Sequence, residues 1–272
     1  MKNALALGTF DGVHKGHQAV LSLPDDCRKI AVTFSRPPKN SELIITNEDK
    51  CRILKEIGID EIVSLDFEAV KDISAVDFLD MLCEKFTPSV FSCGFNNRFG
   101  KGAEGDTALL KHYCEEKGIK LICAEPVTYK GEIVSSTRIR EMLRNGEVKV
   151  ANEILYEPFS FTAKVMQGDK RGRTIGFPTV NQRYPENLVK LKFGVYKTKI
   201  NIDGKEYCGI TDIGTRPTFK TDYVISETFI KDFSGDLYGK ELKITPLEFL
   251  RDEKKFNSLE ELKKQIAEDL RR

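Results

Sequence analysis

The sequence predicts a parallel α/β domain over residues 1–155, followed by a small antiparallel β-barrel over residues 156–272 that closes with a helix. Three observations carry that prediction. Short apolar runs alternate with helix-period segments up to about residue 155, strand-like runs succeed one another after Pro158, and an amphipathic stripe ends the chain. At about 150 residues per domain, 272 residues leave room for two cores.

In the first half, Ala4 to Leu7, Ile30 to Phe34, Ile62 to Phe67, Val90 to Cys93 and Leu121 to Ala124 read as strands. Asn47 is placed to cap a helix that aligns Ile53, Leu54 and Ile57. Ser74 with Asp77 forms a capping box ahead of Phe78, Leu79 and Leu82, and Thr107 precedes Leu109, Leu110 and Tyr113. Ligands of such sheets bind beyond the carboxyl ends of the strands. In the second half, Phe159 to Met166, Gly194 to Ile202, Tyr207 to Ile213, Val224 to Ile230 and Leu242 to Phe249 are strand-like. Asp203-Gly204 is a two-residue hairpin signal, since both positions of a type I′ turn need positive φ. Ser258 with Glu261 caps a last helix whose Leu262, Ile266 and Leu270 should pack on the barrel.

Composition narrows the function. With 43 Lys and Arg against 42 Asp and Glu, the net charge of +1 argues against nucleic acid as the main ligand. The run Ala4 to Leu7 is too short for a signal peptide or a membrane span, so a cytoplasmic location and small-molecule partners are expected. Seven scattered cysteines, none spaced as C-x-x-C, argue against a disulfide framework or a zinc ribbon. Oligomeric state is not legible.

Gly8 to His17, reading GTFDGVHKGH, follows the first strand, where a glycine-rich turn can feed a helix whose N–H groups face phosphate. Two of the chain's three histidines, His14 and His17, fall here. Their imidazole N–H groups suit charge that develops on phosphate during transfer. A metal pair or two surface histidines are the alternatives. Gly168 to Asn181, reading GDKRGRTIGFPTVN, joins glycines and basic residues to hydroxyl and amide oxygens, a second phosphate-site composition. A solvated basic hairpin explains Lys170 to Arg173 equally well, and no Walker A pattern occurs.

These strings resemble a known family. H-x-G-H with Ser135 to Arg140, reading SSTRIR, is similar to the nucleotidyltransferase superfamily, and G-x-F-D-G-x-H-x-G-H resembles the bacterial bifunctional riboflavin kinase/FMN adenylyltransferases, or FAD synthetases. The resemblance implies a Rossmann-like nucleotidyltransferase domain and a riboflavin kinase barrel, with ATP as co-substrate, Mg²⁺ as cofactor, and riboflavin, FMN and FAD as substrate and products. It implies nucleotide contacts from Gly8, Phe10, Asp11, Gly16, Asn96, Ser135, Ser136, Thr137, Arg138 and Arg140, with His14 and His17 stabilising charge. For the second domain, GDKRGRTIGFPTVN is similar to the kinase signature G-x-x-x-G-R-x-x-G-x-P-T-x-N. It implies phosphate contacts from Gly168, Lys170, Arg171, Gly172 and Arg173, and Mg²⁺ ligation by Thr179 and Asn181. Further matches imply flavin contacts from Arg216 and Arg251, and make Glu227, on its own an outward-facing strand carboxylate, the general base.

The chain departs from the family at Thr33 to Pro38, which reads TFSRPP where T-F-x-P-H-P is usual. Asn97 replaces a phenylalanine, and the stretch from Gln18 to Lys29 is shorter than usual. Two other readings therefore stand beside the two-step enzyme: a riboflavin kinase with an altered first domain, and a flavin- or nucleotide-binding regulator.

Overall fold

The computed structural model describes residues 2–35, 42–168, 176–215 and 223–271. The chain divides into two compact units, Met1–Ser136 with Ile154–Tyr156, and Thr137–Glu153 with Glu157–Arg272.

In the first unit five strands, β1 (Lys2–Leu7), β2 (Cys27–Phe34), β3 (Glu61–Leu65), β4 (Pro88–Gly94) and β5 (Lys120–Ala124), form one sheet in the order β3-β2-β1-β4-β5. Every pairing is parallel. Among the described residues, α-helices α1 (Lys15–Leu21), α2 (Asn47–Glu56), α3 (Phe67–Val70), α4 (Ala75–Phe86) and α5 (Thr107–Lys117) connect them. A short hairpin, β6 (Thr128–Tyr129) with β7 (Glu132–Ile133), follows. Ala4 to Leu7 are all buried, as expected of a central strand covered on both faces. Leu5, Ile30 and Phe91 pack against Phe78, Leu79 and Leu82 of α4 and Leu110 and Tyr113 of α5. Each such side chain contributes about 1.5–3 kcal/mol on burial.

Local chemistry sets the boundaries, in places one or two residues from the sequence expectation. Ser74 caps α4, its oxygen accepting from the Asp77 N–H at 3.1 Å. Thr46, not Asn47, caps α2, and Asp106 caps α5 one residue before Thr107. The third strand stops at Leu65 because the Asp66 carboxylate accepts the Glu68 N–H and starts α3, which takes Phe67 out of the strand.

The second unit begins with α6 (Ser136–Arg144), which the division enters at Thr137, and α7 (Val148–Ile154). Six strands follow, β8 (Phe161–Met166), β9 (Thr179–Arg183), β10 (Gly194–Ile202), β11 (Lys205–Thr215), β12 (Val224–Ile230) and β13 (Glu241–Arg251), then α8 (Leu259–Asp269). They close into an antiparallel barrel in the order β10-β11-β12-β9-β8-β13. Asp203 and Gly204 turn the β10–β11 hairpin with φ of 51° and 81°. Inside the barrel Thr198, Thr211 and Thr228 share hydrogen bonds of 2.9 Å, so the buried hydroxyls are paired. The strand β9 was hidden in a stretch read as a phosphate loop, because Thr-Val-Asn-Gln-Arg carries a single apolar residue. Its inward Gln182 is held by the Ala163 and Leu242 carbonyls.

The last helix is anchored differently from its sequence pattern. Leu262, Ile266 and Leu270 are only half-buried, whereas Asp269 is 1% exposed and accepts from Arg251 Nε at 3.0 Å and from its second terminal nitrogen at 2.9 Å. Removing that carboxylate strands a guanidinium that is mostly covered. Asp269→Ala should lower barrel stability by about 2 kcal/mol, read as a shifted urea midpoint in far-UV circular dichroism; an unchanged midpoint would remove the ion pair as the anchor of α8.

Candidate functional site

The carboxyl ends of β1 and β4 lie side by side at the point where the strand order reverses, the place at which open parallel sheets hold ligands. Gly8 closes β1 by donating its N–H to the Val32 carbonyl. Phe10 and Val13 then take φ of 51° and 39° with both side chains fully buried, so the turn is compact and conformationally committed. The Asp11 carboxylate, 3% exposed, accepts the N–H groups of Ile44 at 2.9 Å and Ile45 at 3.3 Å. Ser136 donates its hydroxyl to the Asp11 carbonyl at 3.1 Å. Asp11 thus holds the backbone ahead of α2, while the Ser136 hydroxyl holds the turn.

His14 caps α1, its Nδ1 accepting the His17 N–H at 3.3 Å. In the neutral ring this assigns the proton to Nε2. The two imidazoles stack at 3.6 Å between centroids and 17° between planes, and Phe10 meets His17 edge-on at 5.5 Å. A Cβ at position 16 would lie 3.2 Å from the His14 ring, so Gly16 leaves the imidazole its room. At the end of β4, Asn96 is exposed in a turn closed by the Asn97 N–H on the Gly94 carbonyl at 3.0 Å. Ser135 precedes α6, and Thr137, Arg138 and Arg140 lie on that helix, within the second unit. Lys50 of α2, which no motif in the sequence marks, is 6% exposed.

On the barrel, register assembles a polar row. Asp212 of β11 stands opposite Glu227 of β12, Glu227 opposite Asn181 of β9, and Asn181 opposite Met166 of β8. Thr179, two residues before Asn181, shares its face of β9. Residues Lys170, Arg171, Gly172, Arg173 and Arg216 lie outside the described residues. A cavity of about 350 Å³ opens at Thr179, lined also by Val165, Ile230, Phe233 and Tyr238 among others. Part of Asp212 faces solvent, yet protein packed round its carboxyl, with Glu253 and Glu227 adding repulsion against the pull of Arg251, pushes its pKa up to about 7. Arg251 spends its guanidinium on Asp269 and the Asp252 carbonyl, with Phe256 against its face at 5.7 Å.

The oxygens of Thr179 and Asn181 suit a hard cation. Asn181 is 6% exposed, and a Cβ on Gly168 would sit 2.5 Å from its amide nitrogen and 2.9 Å from its amide oxygen. Only glycine at 168 keeps that cradle open, so the residues present fit a Mg²⁺ ion. Among the described residues no cluster of three or more His, Cys, Asp or Glu has the arrangement of a metal site.

The family model for FAD synthetase matches residues 1–138, and that for riboflavin kinase matches residues 155–272. The chain is 33% identical to the bifunctional riboflavin kinase/FMN adenylyltransferase of Listeria monocytogenes, over 99% of this chain and 90% of that one. It is 33% identical to the Escherichia coli K12 protein of the same name, over 97% and 90%, and 32% identical to the Bacillus subtilis one, over 98% and 90%. A crystal structure from Streptococcus pneumoniae, described as a macrolide-efflux protein, superposes with a TM-score of 0.91 at 29% identity, covering 99% of this chain and 93% of that one. Efflux is that protein's description; among the described residues here, no helix is long and apolar enough to cross a membrane. With one family model matching residues 1–138, the other residues 155–272, and relatives matched along nearly the whole length, the chain belongs to the bifunctional riboflavin kinase/FMN adenylyltransferase family.

Proposed function

We propose that the barrel phosphorylates riboflavin to FMN and that the α/β unit transfers AMP from a second ATP onto FMN, giving FAD and pyrophosphate. The observation that carries the reading is the direct pairing of Glu227 with Asn181 across β12 and β9, which brings a base and a neutral oxygen ligand together two residues along β9 from Thr179, itself in the wall of a cavity. Glu227 takes the proton of the riboflavin 5′-hydroxyl as that oxygen attacks the γ-phosphorus of ATP and ADP departs. Thr179 and Asn181 hold Mg²⁺, which when bound offsets charge on the phosphate oxygens. The cavity takes the nucleotide base between its apolar and aromatic walls, and Gly168, Lys170, Arg171, Gly172 and Arg173 hold phosphate. Arg216 borders the flavin, and Arg251 acts on it only through the segment it braces.

In the α/β unit no proton has to be removed, because the attacking FMN phosphate is already anionic. Its oxygen attacks the α-phosphorus of ATP, and the bond to the departing pyrophosphate breaks. His14 and His17 donate N–H groups to the charge that develops, Ser135 and Ser136 hold phosphate oxygens, and Asn96 contacts nucleotide or flavin. A reducing, cytoplasmic setting suits seven unpaired thiols. The altered Ser35 to Pro38 stretch favours one second reading, a kinase whose first unit has lost or changed its transfer.

Purified protein given riboflavin, ATP and Mg²⁺ should show FMN first and FAD after it by chromatography; FMN accumulating alone would establish the second reading. Glu227→Gln should cut FMN formation by at least about 100-fold and spare conversion of added FMN to FAD. Kinase activity at the unsubstituted level would remove Glu227 from the chemistry. Asp212 has its folded pKa raised above the unfolded 3.8, so the stability linked to its neutral form is complete below about pH 4 and is lost as pH rises through about 7. Barrel stability should therefore fall over that window by about 1 kcal/mol, limited by solvent contact, and Asp212→Asn should flatten the profile in urea titrations.

A further inference from the structure

Lys50 of α2 is buried, and its ammonium has no donor to spare. Nζ lies 2.6 Å from the Phe34 carbonyl, 3.2 Å from the Thr33 hydroxyl and 3.5 Å from the Thr9 carbonyl. Three N–H bonds meet three acceptors. Burial pulls its pKa below the usual lysine value, against the favourable charges of Asp11 and Cys51. A buried cation is costly, and an apolar side chain would fill the space without that cost, so the charge calls for a reason.

The acceptors supply it. All three sit at the carboxyl ends of β1 and β2. The Thr9 carbonyl also receives the Thr33 hydroxyl at 2.8 Å, so two donors fix one peptide plane. The next residue is Phe10, with φ of 51°, and its buried ring abuts His17, which stacks on His14. A contact chain therefore runs from Lys50 through the Thr9 carbonyl and the Phe10 ring to the histidine pair.

We infer that Lys50 is a positioning residue for adenylyl transfer, holding the Thr9 carbonyl so that Phe10 sets His14 and His17 in their stacked arrangement. The inference rests on the reading of that pair as the transfer site. Lys50 does not touch substrate, because its donors are already engaged.

Lys50→Met keeps the length and removes the charge. It should lower kcat for FMN-to-FAD conversion about 10- to 100-fold, leave KM for ATP and FMN within about twofold, and leave riboflavin phosphorylation unchanged. Thr33→Val removes the second donor to the same carbonyl. The two losses should combine to less than their product, and Lys50→Arg should recover part of kcat. Histidine NMR gives a readout independent of turnover: the His14 and His17 ring signals should shift in Lys50→Met, while His112, exposed on α5 beside Glu116, stays in place. Unmoved signals with unchanged kcat would overturn the inference. So would a raised KM at constant kcat, which would make Lys50 a substrate contact. Should Lys50→Met unfold the α/β unit, Thr33→Val carries the same kinetic and NMR tests. If the unsubstituted protein makes no FAD, the transfer reading fails, and the NMR comparison still decides whether Lys50 places the histidines.

Discussion

A parallel strand that runs through the middle of a sheet must pair its backbone on both edges, and where it leaves the sheet its last polar groups need new partners. β1 is that strand, bonded to β2 on one side and β4 on the other, with Ala4 to Leu7 wholly buried. Its end is therefore where polar side chains must gather. Thr33 and Lys50 donate to the Thr9 carbonyl, Asp11 accepts from Ile44 and Ile45, and Ser136 donates to the Asp11 carbonyl. The histidine pair stands on this scaffold, and its stacking geometry follows from backbone groups that could not be left unpaired.

The barrel meets the same constraint by closure, which leaves no sheet edge among its six strands. Its interior tolerates hydroxyls because Thr198, Thr211 and Thr228 satisfy one another. Its outer face is then available for chemistry, and strand register alone lines up Asp212, Glu227 and Asn181. Such a row needs no flexible positioning, since cross-strand neighbours lie about 5 Å apart at Cβ.

Legibility in the sequence tracked how local each feature is. Ser74, Ser258 and Asp203-Gly204 act within three residues of themselves, and each does what its pattern predicts. The parallel order and the closed barrel were legible as fold classes, because alternation and strand spacing repeat over many elements. β9 was not, since Val180 is its lone aliphatic residue and the polar face that hides it is the one proposed to bind metal. Lys50 and Asp269 were missed for a related reason. A charged residue on a helix reads as solvated, and nothing nearby in sequence announces that Thr9, Phe34 or Arg251 will come to meet it.

The two units also show why one chain would keep two different sets of groups for two transfers from ATP. A hydroxyl nucleophile carries a proton that must go somewhere as the new bond forms, so the kinase site needs a carboxylate such as Glu227 within reach of the alcohol. A phosphate nucleophile carries no such proton but brings extra negative charge, so the transfer site needs donors and no base. A carboxylate facing such a site would repel both FMN and ATP. The acidic side chain at the end of β1, Asp11, accepts backbone N–H groups of Ile44 and Ile45, and its charge favours the ammonium of Lys50. Asp11 and Lys50 thus offset one another's charge while each engages backbone groups, Asp11 the N–H groups of Ile44 and Ile45 and Lys50 the carbonyls of Thr9 and Phe34.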